Sequence, residues 1–255
     1  MDILDKTKVL VLFSGGKDSF LTACRTVSDG YKAVLLSCQT GSIFGEPYLR
    51  YGAERLIDRF GEDCVEYAGI LNSSPAKMWL SKGWLYSQWQ SLGGVYPLLS
   101  NCQIQCLNCQ TAMWLCAIAY AKAKNISFLE CGYKASDVFC TGIMEYTEII
   151  KSIASKFNKS VRFPIWDLEG DFERDTELIR YGFHPSVLEP KCMLGCSPRE
   201  QMTEETRGQL MQYCKDILVP KVEESVPYYS KVYANIRLGM ESFKLFDKSK
   251  FGDDT

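Results

Sequence analysis

Histidine is nearly absent from this chain of 255 residues, since His184 is the only one. A general base at neutral pH must therefore come from an aspartate, glutamate, lysine or cysteine. We expect His184 itself to lie at the surface or behind the reacting groups rather than to bind a metal. The Walker A pattern GxxxxGK[ST] is also absent, which excludes that class of phosphate loop.

Long apolar runs are missing as well. None approaches the roughly 18–20 residues of a membrane span, and the first residues, MDILDKTK, have no signal-peptide pattern. We therefore expect a cytoplasmic protein with no membrane partner. A net charge of −2 argues against a broad basic face for nucleic acid, although it leaves a local basic patch open.

Cysteine, in contrast, is abundant, with twelve residues. In a reducing compartment these residues are a poor disulfide framework, so metal or sulfur chemistry explains them better. Six lie in apolar segments and are expected in the core, where a thiol behaves as a small apolar group: Cys24, Cys38, Cys64, Cys116, Cys131 and Cys214. Most of the others cluster at residues 102–109 and 192–196.

The most informative stretch is residues 9–19, VLVLFSGGKDS. An apolar run predicts a buried strand, the paired glycines predict a tight turn, and a helix pattern follows. Glycines let backbone N–H groups approach a ligand, and a helix N-terminus favours an anion, so we expect bound phosphate. Asp18 would repel phosphate, so it is expected to cap the helix or bind phosphate-bound magnesium. The predicted binding residues are Ser14, Gly15, Gly16, Lys17, Asp18 and Ser19.

Strand and helix patterns alternate along the chain, which predicts an α/β fold with a doubly wound, mostly parallel sheet. The predicted strands are residues 9–13, 32–38, 64–70, 127–132 and 161–167; the predicted helices are residues 19–28, 51–60, 110–124, 142–157 and 171–181. Residues 1–198 are expected to form the catalytic domain, and residues 199–255 a helical extension interrupted at Pro220 and Pro227.

Ligands of such sheets bind at the carboxyl ends of the strands. This places Ser37 and the loop after it near an adenine held over the turn. It also makes residues 132–137, which carry Gly132, Lys134 and Asp137, a second part of the same site. Residues 71–105 break the alternation and contain Trp79, Trp84 and Trp89. They are either an ordinary insertion or a lid over the nucleotide.

Four cysteines have spacings that suit a metal, namely Cys106, Cys109, Cys192 and Cys196. Four thiolates would form a tetrahedral zinc site, and three would hold a [4Fe–4S] cluster with one open iron. Cys106 and Cys109 are expected just before the helix at 110–124, whose dipole would stabilise thiolates. The spacing alone does not decide between zinc, iron–sulfur and thiols without metal.

The string SGGKDS resembles the PP-loop of the ATP pyrophosphatase superfamily, whose members split ATP into AMP and pyrophosphate to adenylate a substrate. Within it, the chain is similar to 7-cyano-7-deazaguanine synthases of queuosine biosynthesis. The features that carry this likeness are Gly132 to Asp137, Cys140, Arg162-Phe163-Pro164-Ile165, Tyr181-Gly182 and Cys192 to Cys196. This resemblance implies a bound zinc ion, a small heterocyclic acid as substrate and a nitrogen nucleophile. The family's cysteines lie together near the C-terminus, whereas Cys106 and Cys109 lie far upstream.

A second likeness is to tRNA thiolases, which place a CxxC before the middle helix and a third cysteine later. Cys106, Cys109 and Cys192 match that arrangement and imply a [4Fe–4S] cluster, a sulfur nucleophile and tRNA as partner. Residues 164–183 are more weakly similar to diphthine–ammonia ligase. An ATP-binding zinc protein without catalysis is the remaining alternative.

Both main resemblances imply the same first step. ATP and Mg²⁺ bind at the turn, and Lys17, with Lys134 or Arg162, offsets charge on the leaving pyrophosphate. The expected catalytic residues are Lys17, Asp18, Lys134 and Asp137. The nitrogen-dependent reaction is the leading interpretation, and a homo-oligomer is expected.

Overall fold

The computed structural model describes residues 7–41, 46–81, 95–137, 139–185, 202–236 and 238. In these ranges the chain forms five strands: β1 (Lys8–Leu12), β2 (Lys32–Gln39), β3 (Val65–Asn72), β4 (Phe128–Cys131) and β5 (Ser160–Arg162). They make one sheet in the order β3-β2-β1-β4-β5, and every neighbouring pair is parallel. The predicted doubly wound α/β fold is confirmed.

Helices cover both faces of the sheet. In chain order the described helices are α1 (Lys17–Ser28), α2 (Glu46–Phe60), α3 (Ser74–Ser81), α4 (Asn101–Ala123), α5 (Met144–Ser155), α6 (Asp171–Arg180), α7 (Glu204–Tyr213) and α8 (Val219–Ala234). A 3₁₀ turn, Cys140–Gly142, precedes α5, and a π turn, Cys214–Leu218, joins α7 to α8. Among these described helices, none has the length and apolar character needed to cross a membrane.

The strand β1 lies between two hydrophobic clusters. Val9 and Val11 pack in one cluster with α1, α2 and α6, whereas Leu10 packs in the other with α3, α4, α5 and the C-terminal helices. Alternate residues of a strand face opposite sides of the sheet, so a strand covered on both sides needs a continuous apolar run. This explains why β1 is apolar from Val9 to Leu12.

The strand order reverses beside β1, because β2 and β3 extend the sheet on one side and β4 and β5 on the other. Ligands of open parallel sheets bind at the carboxyl edge of such a switch point. The turn after β1 and the turn after β4 therefore meet where a ligand is expected.

The C-terminal helices differ from the prediction. Helical structure is continuous from Glu204 to Ala234, with Pro220 in the first turn of α8 and Pro227 inside it. The predicted interruption at Pro227 is wrong: Val222 and Val226 are fully buried and hold α8 in place, while Pro227 is exposed. The irregularity lies instead in the π turn just before Pro220. The proposed boundary between residues 198 and 199 lies outside the described residues and stays a prediction.

Other element boundaries differ as well, and two of them bear on the site. Helix α4 begins at Asn101 rather than at Gln110, because Ser100 and Gln103 form a capping box at its start. Strand β5 ends at Arg162, and the predicted strand residues 164–167 form turns. Of the region expected to be an insertion or lid, residues 82–94, including Trp84 and Trp89, lie outside the described residues, and Trp79 is on α3 with 38% of its surface exposed.

Candidate active site

The turn between β1 and α1 is held in shape by its own hydroxyl groups. Ser19 Oγ donates to the Gly16 carbonyl at 2.9 Å, and the Ser14 hydroxyl lies 3.3 Å from both Ser19 Oγ and the Gly16 N–H. Gly15 has a φ of 75°, a conformation that favours glycine. These contacts hold the paired glycines against the first turn of α1.

The N-cap residue of α1 is Gly16, which has no side chain that could cap the helix. The expectation that Asp18 caps this helix is therefore wrong. The Asp18 carboxylate instead forms ion pairs with cations from two other parts of the chain. The first-turn N–H groups of α1 are thus left to an anion, which the positive end of the helix dipole attracts.

Gly132, directly after β4, touches the start of α1. A Cβ atom at this position would lie 2.8 Å from the carbonyl carbon and oxygen of Asp18 and 3.0 Å from the Ser19 nitrogen. Strands β1 and β4 are neighbours, so their turns approach closely at this edge. Glycine is required here because any side chain would collide with the backbone.

Lys134 connects this second turn to the first. Its Nζ lies 3.1 Å from Asp18 Oδ1 and 3.9 Å from Asp137 Oδ1, and its backbone N–H donates to Asp137 Oδ2 at 3.3 Å. The Lys134 side chain is only 9% exposed. Burial raises the pKa of Asp137 above its ordinary value, although Lys134 partly opposes the shift. Four predicted residues, Asp18, Gly132, Lys134 and Asp137, therefore lie together.

Helix α6 contributes two residues that sequence reasoning missed, Arg174 and Asp175. Arg174 NH1 lies 3.1 Å from Asp18 Oδ1 and 3.0 Å from Asp171 Oδ1, and its Nε lies 3.1 Å from Asp175 Oδ1. Lys17 Nζ lies 2.7 Å from Asp175 Oδ2. Burial raises the pKa of Asp175, but the hydrogen bonds from Lys17 and Arg174 outweigh it and leave that pKa below its ordinary value.

A separate ion pair fixes α6 against α1. Arg25 donates to both carboxylate oxygens of Glu177, at 2.8 and 2.6 Å, and to the Pro164 carbonyl at 2.6 Å. Such two-pronged pairs set orientation as well as distance. The only sequence signal for Arg174 was that its helix follows the last strand, which places the helix start at the carboxyl edge.

Arg162 does not join this site. It pairs with buried Glu130 at 2.5 Å, and its guanidinium lies 4.7 Å from the ring centre of Tyr31 and 5.4 Å from that of Phe128. Phe128 begins β4 and Tyr31 precedes β2, so Arg162 points toward the amino ends of the strands. The expectation that Arg162 assists the phosphate site is wrong, and Arg174 stands there instead.

Ser37 is fully buried, and its hydroxyl donates to the Phe13 carbonyl at 2.8 Å. It links β2 to the residue just before the turn between β1 and α1. A contact from Ser37 to adenine stays a prediction, and the loop residues 42–45 after it lie outside the described residues.

The cysteines lie differently from the prediction. Cys106 and Cys109 are in the second and third turns of α4, so the helix dipole does not stabilise thiolates there as expected. Cys192 and Cys196 lie outside the described residues. In the part of the chain that is described, no three histidine, cysteine, aspartate or glutamate side chains are arranged to hold a metal ion. His184 is exposed, as expected.

Most of the cysteines expected in the core are there. Cys24, Cys116, Cys131 and Cys214 are buried, as is Cys140. Burial raises the pKa of the Cys116 thiol to about 12, which makes it an inert packing group. Cys38 and Cys64 are partly buried.

No protein-family model matches the sequence, and no curated protein matches it. Among solved structures, the chain is similar to a 4-thiouridine synthetase in complex with RNA and bound ATP, with a TM-score of 0.61 and 12% identity over 89% of this chain and 53% of that one. The two share a fold. This chain spans about half the length of that synthetase.

Two further structures gave lower scores. A predicted subunit of tRNA methyltransferase from Methanocaldococcus jannaschii matches with a TM-score of 0.40 and 20% identity, over 70% of this chain and 90% of that one. An NMN synthetase from Francisella tularensis matches with a TM-score of 0.43 and 15% identity, over 93% of this chain and 90% of that one.

Proposed function

We propose that this protein is an enzyme that cleaves ATP between its α and β phosphates, transfers AMP to a substrate oxygen and releases pyrophosphate. The observation that carries the proposal is the surroundings of the start of α1. The start of α1 and the Gly15-Gly16 turn lie beside three cations, Lys17, Lys134 and Arg174. The likeness of SGGKDS to the PP-loop, and the fold shared with a synthetase that was solved with ATP, support the same reaction.

The residues present suit a magnesium–nucleotide. Asp18 is one-third exposed, and Asp137 shares Lys134 with it, so these two carboxylates are the proposed oxygen ligands of Mg²⁺. When bound, Mg²⁺ would offset phosphate charge. The backbone at Gly15 and Gly16, with the first turn of α1, would hold phosphate oxygens, as would Ser14 and Ser19.

The chemistry proceeds in two displacements. A substrate oxygen forms a bond to the α-phosphorus, and the bond from that phosphorus to the bridging oxygen breaks. Pyrophosphate leaves with the electron pair, and its charge is stabilised by Lys17 and Lys134. A second nucleophile then displaces AMP. Asp137, which is held beside Lys134, is proposed to act in this step as a magnesium ligand.

For the second nucleophile we propose nitrogen, with a small heterocyclic acid as the activated substrate, as in 7-cyano-7-deazaguanine synthases. The net charge of −2 supports a small molecule, because a tRNA-binding enzyme gains much of its affinity from phosphate neutralisation. The second candidate is sulfur transfer to tRNA. It is favoured by the shared fold with a 4-thiouridine synthetase bound to RNA.

Metal analysis of protein purified without oxygen separates these candidates. About one zinc per colourless chain, held with Cys106, Cys109, Cys192 and Cys196, is expected for the small-molecule enzyme. A brown protein that absorbs at about 400 nm would instead favour sulfur transfer, provided that this absorption is lost in Cys106→Ser and retained in Cys196→Ser.

The remaining parts of the proposal are a catalytic domain of residues 1–198, a helical extension of residues 199–255, a homo-oligomer and a cytoplasmic location. Size measurement in solution tests the oligomer. A stable fragment ending near residue 198, with ATP binding intact, would support the domain boundary.

The reaction itself is tested by product analysis with ATP and candidate acceptors. AMP and pyrophosphate are expected, and Lys17→Ala or Asp18→Ala should reduce their formation on the order of 10²–10³-fold, because each removes a positioned charge. Lys8→Ala is the matched control, since Lys8 lies at the opposite end of β1 and pairs with Glu66. Formation of ADP and phosphate would refute the reaction type. Nucleotide binding without any product would favour the non-catalytic alternative.

A further inference from the structure

Arg174 is a buried cation that reaches the phosphate turn from a distant part of the chain. Its side chain is only 9% exposed, and it contacts Asp18 on α1, 156 positions earlier in the sequence. Its Nε and NH1 atoms contact three carboxylates, those of Asp18, Asp171 and Asp175. A guanidinium stays charged at all relevant pH values and presents five N–H donors, a geometry that matches phosphate as well as carboxylate.

Helix α6 is also attached by contacts that do not involve Arg174. Arg25 and Glu177 form their own two-pronged pair, and Leu178 is fully buried among the side chains of α1 and α2. A second charged network at the other end of the same helix therefore needs another explanation. Its location beside Asp18 and Lys17 points to the ligand of the turn.

Asp175 bridges two of the cations. It accepts from Lys17 Nζ at 2.7 Å and from Arg174 Nε at 3.1 Å. Both cations flank the phosphate turn, so a bound phosphate would attract the same donors that Asp175 now holds. The Asp175 side chain is about one-quarter exposed, so it can move away and leave the N–H donors of Lys17 and Arg174 to the phosphate.

We propose that Arg174 binds the pyrophosphate part of the nucleotide together with Lys17, and that the Asp175 carboxylate competes with pyrophosphate for both cations. This inference rests on the proposed function, because it assigns a further binding residue and a competing anion to the same site. It makes opposite predictions for two neighbouring residues. Loss of Arg174 should weaken pyrophosphate binding, whereas loss of the Asp175 charge should strengthen it.

The experiment is calorimetric titration of inorganic pyrophosphate, with Mg²⁺ present, into the full chain. Arg174→Gln is expected to weaken binding by about 10- to 100-fold, the usual range for a lost charge-assisted contact. Asp175→Asn is expected to tighten binding by about 2- to 5-fold, the effect of removing one partly exposed charge. Arg180→Gln is the matched control and should bind as the wild type does, since Arg180 is exposed in the last turn of the same helix.

The outcomes separate this inference from the proposed function. Wild-type protein that binds neither pyrophosphate nor ATP would refute both. Wild-type binding that is unchanged in Arg174→Gln would overturn the role of Arg174 and leave the proposed reaction standing. Weaker binding in both Arg174→Gln and Asp175→Asn would indicate a purely structural network and would overturn the competition.

Circular dichroism of each variant shows whether it folds. If Arg174→Gln does not fold, Arg174→Lys replaces it, because lysine keeps the charge and loses the forked geometry. Binding weakened in Arg174→Lys, with the fold intact, would support the role of the guanidinium. Binding equal to wild type would overturn it.

Discussion

The close approach of Gly132 to α1 provides the sharpest test of how the site is built. In Gly132→Ala the new methyl group would lie 2.8 Å from the backbone carbon and oxygen of Asp18 and 3.0 Å from the backbone nitrogen of Ser19. All three are backbone atoms at the start of a helix, so they cannot move aside as a flexible side chain does. The turn after β4 must therefore separate from α1.

The size of this separation follows from the contact distances. Ordinary van der Waals contact begins near 3.4 Å, so the two segments must separate by about 0.6 Å from 2.8 Å. Overpacking of this kind costs about 1–3 kcal/mol in the free energy of unfolding. The ion pair between Lys134 Nζ and Asp18 Oδ1, 3.1 Å apart, connects the same two segments, so this distance would increase. A displacement approaching 1 Å in a catalytic site reduces the rate on the order of 10²-fold.

Two measurements check this prediction: urea unfolding for stability, and the rate of AMP formation for the site. Gly208→Ala is the control. Gly208 lies within α7 with nothing within 4 Å of an added Cβ, so this variant should be slightly more stable and equally active. Gly132→Ala protein with wild-type stability and wild-type AMP formation would refute the argument that this contact is tight.

Two further predictions concern stability. Pro227→Ala should raise the free energy of unfolding by about 1–3 kcal/mol, because it restores a helix hydrogen bond at an exposed position inside α8. Pro220→Ala is the control and should change this free energy less, because Pro220 lies in the first turn of α8. Equal effects of the two substitutions in urea unfolding would contradict the prediction. The pKa of Asp175 is lowered in the folded state, because hydrogen bonds from Lys17 and Arg174 outweigh the effect of burial. Its contribution to stability is therefore fully present above about pH 4, the ordinary pKa of aspartate. That contribution is lost as the pH falls through the lower pKa of the folded state. The stability difference between wild type and Asp175→Asn should therefore shrink on acidification below about pH 4, and a difference independent of pH in urea unfolding would contradict the assignment.

The site combines residues from three separate parts of the chain. The turn after β1 supplies Lys17 and Asp18, the turn after β4 supplies Lys134, and α6 supplies Arg174 and Asp175. Each cation is paired with a carboxylate in the structure. Because these pairs cross between elements, the geometry of the proposed phosphate site depends on how α6 and β4 pack against α1.

Local chemistry made part of this arrangement predictable from the sequence. The run of apolar residues in β1 indicates a strand that is buried on both faces. The Gly15-Gly16 pair indicates a tight turn, because glycine allows backbone conformations that other residues rarely adopt. Both signals lie within a few neighbouring residues of the sequence. The alternation of strands and helices then implied a parallel sheet, whose carboxyl edge brings Gly132, Lys134 and Asp137 toward Asp18. The early start of α4 was also readable, because Ser100 and Gln103 have capping-box spacing. That signal places Cys106 and Cys109 inside the helix.

Other features were decided only by tertiary structure. A sequence pattern predicts that residues 171–181 form a helix, but not which face of that helix contacts the turn between β1 and α1. The Arg25–Glu177 pair and the buried Leu178 set the position of α6, and Arg174 reaches Asp18 as a result. Arg162, in contrast, pairs with buried Glu130, because a buried carboxylate needs a partner and Arg162 lies opposite it in the sheet. The sequence alone predicted the turn after β1 as the phosphate site, whereas packing between distant elements determined that Arg174, and not Arg162, lies beside this turn.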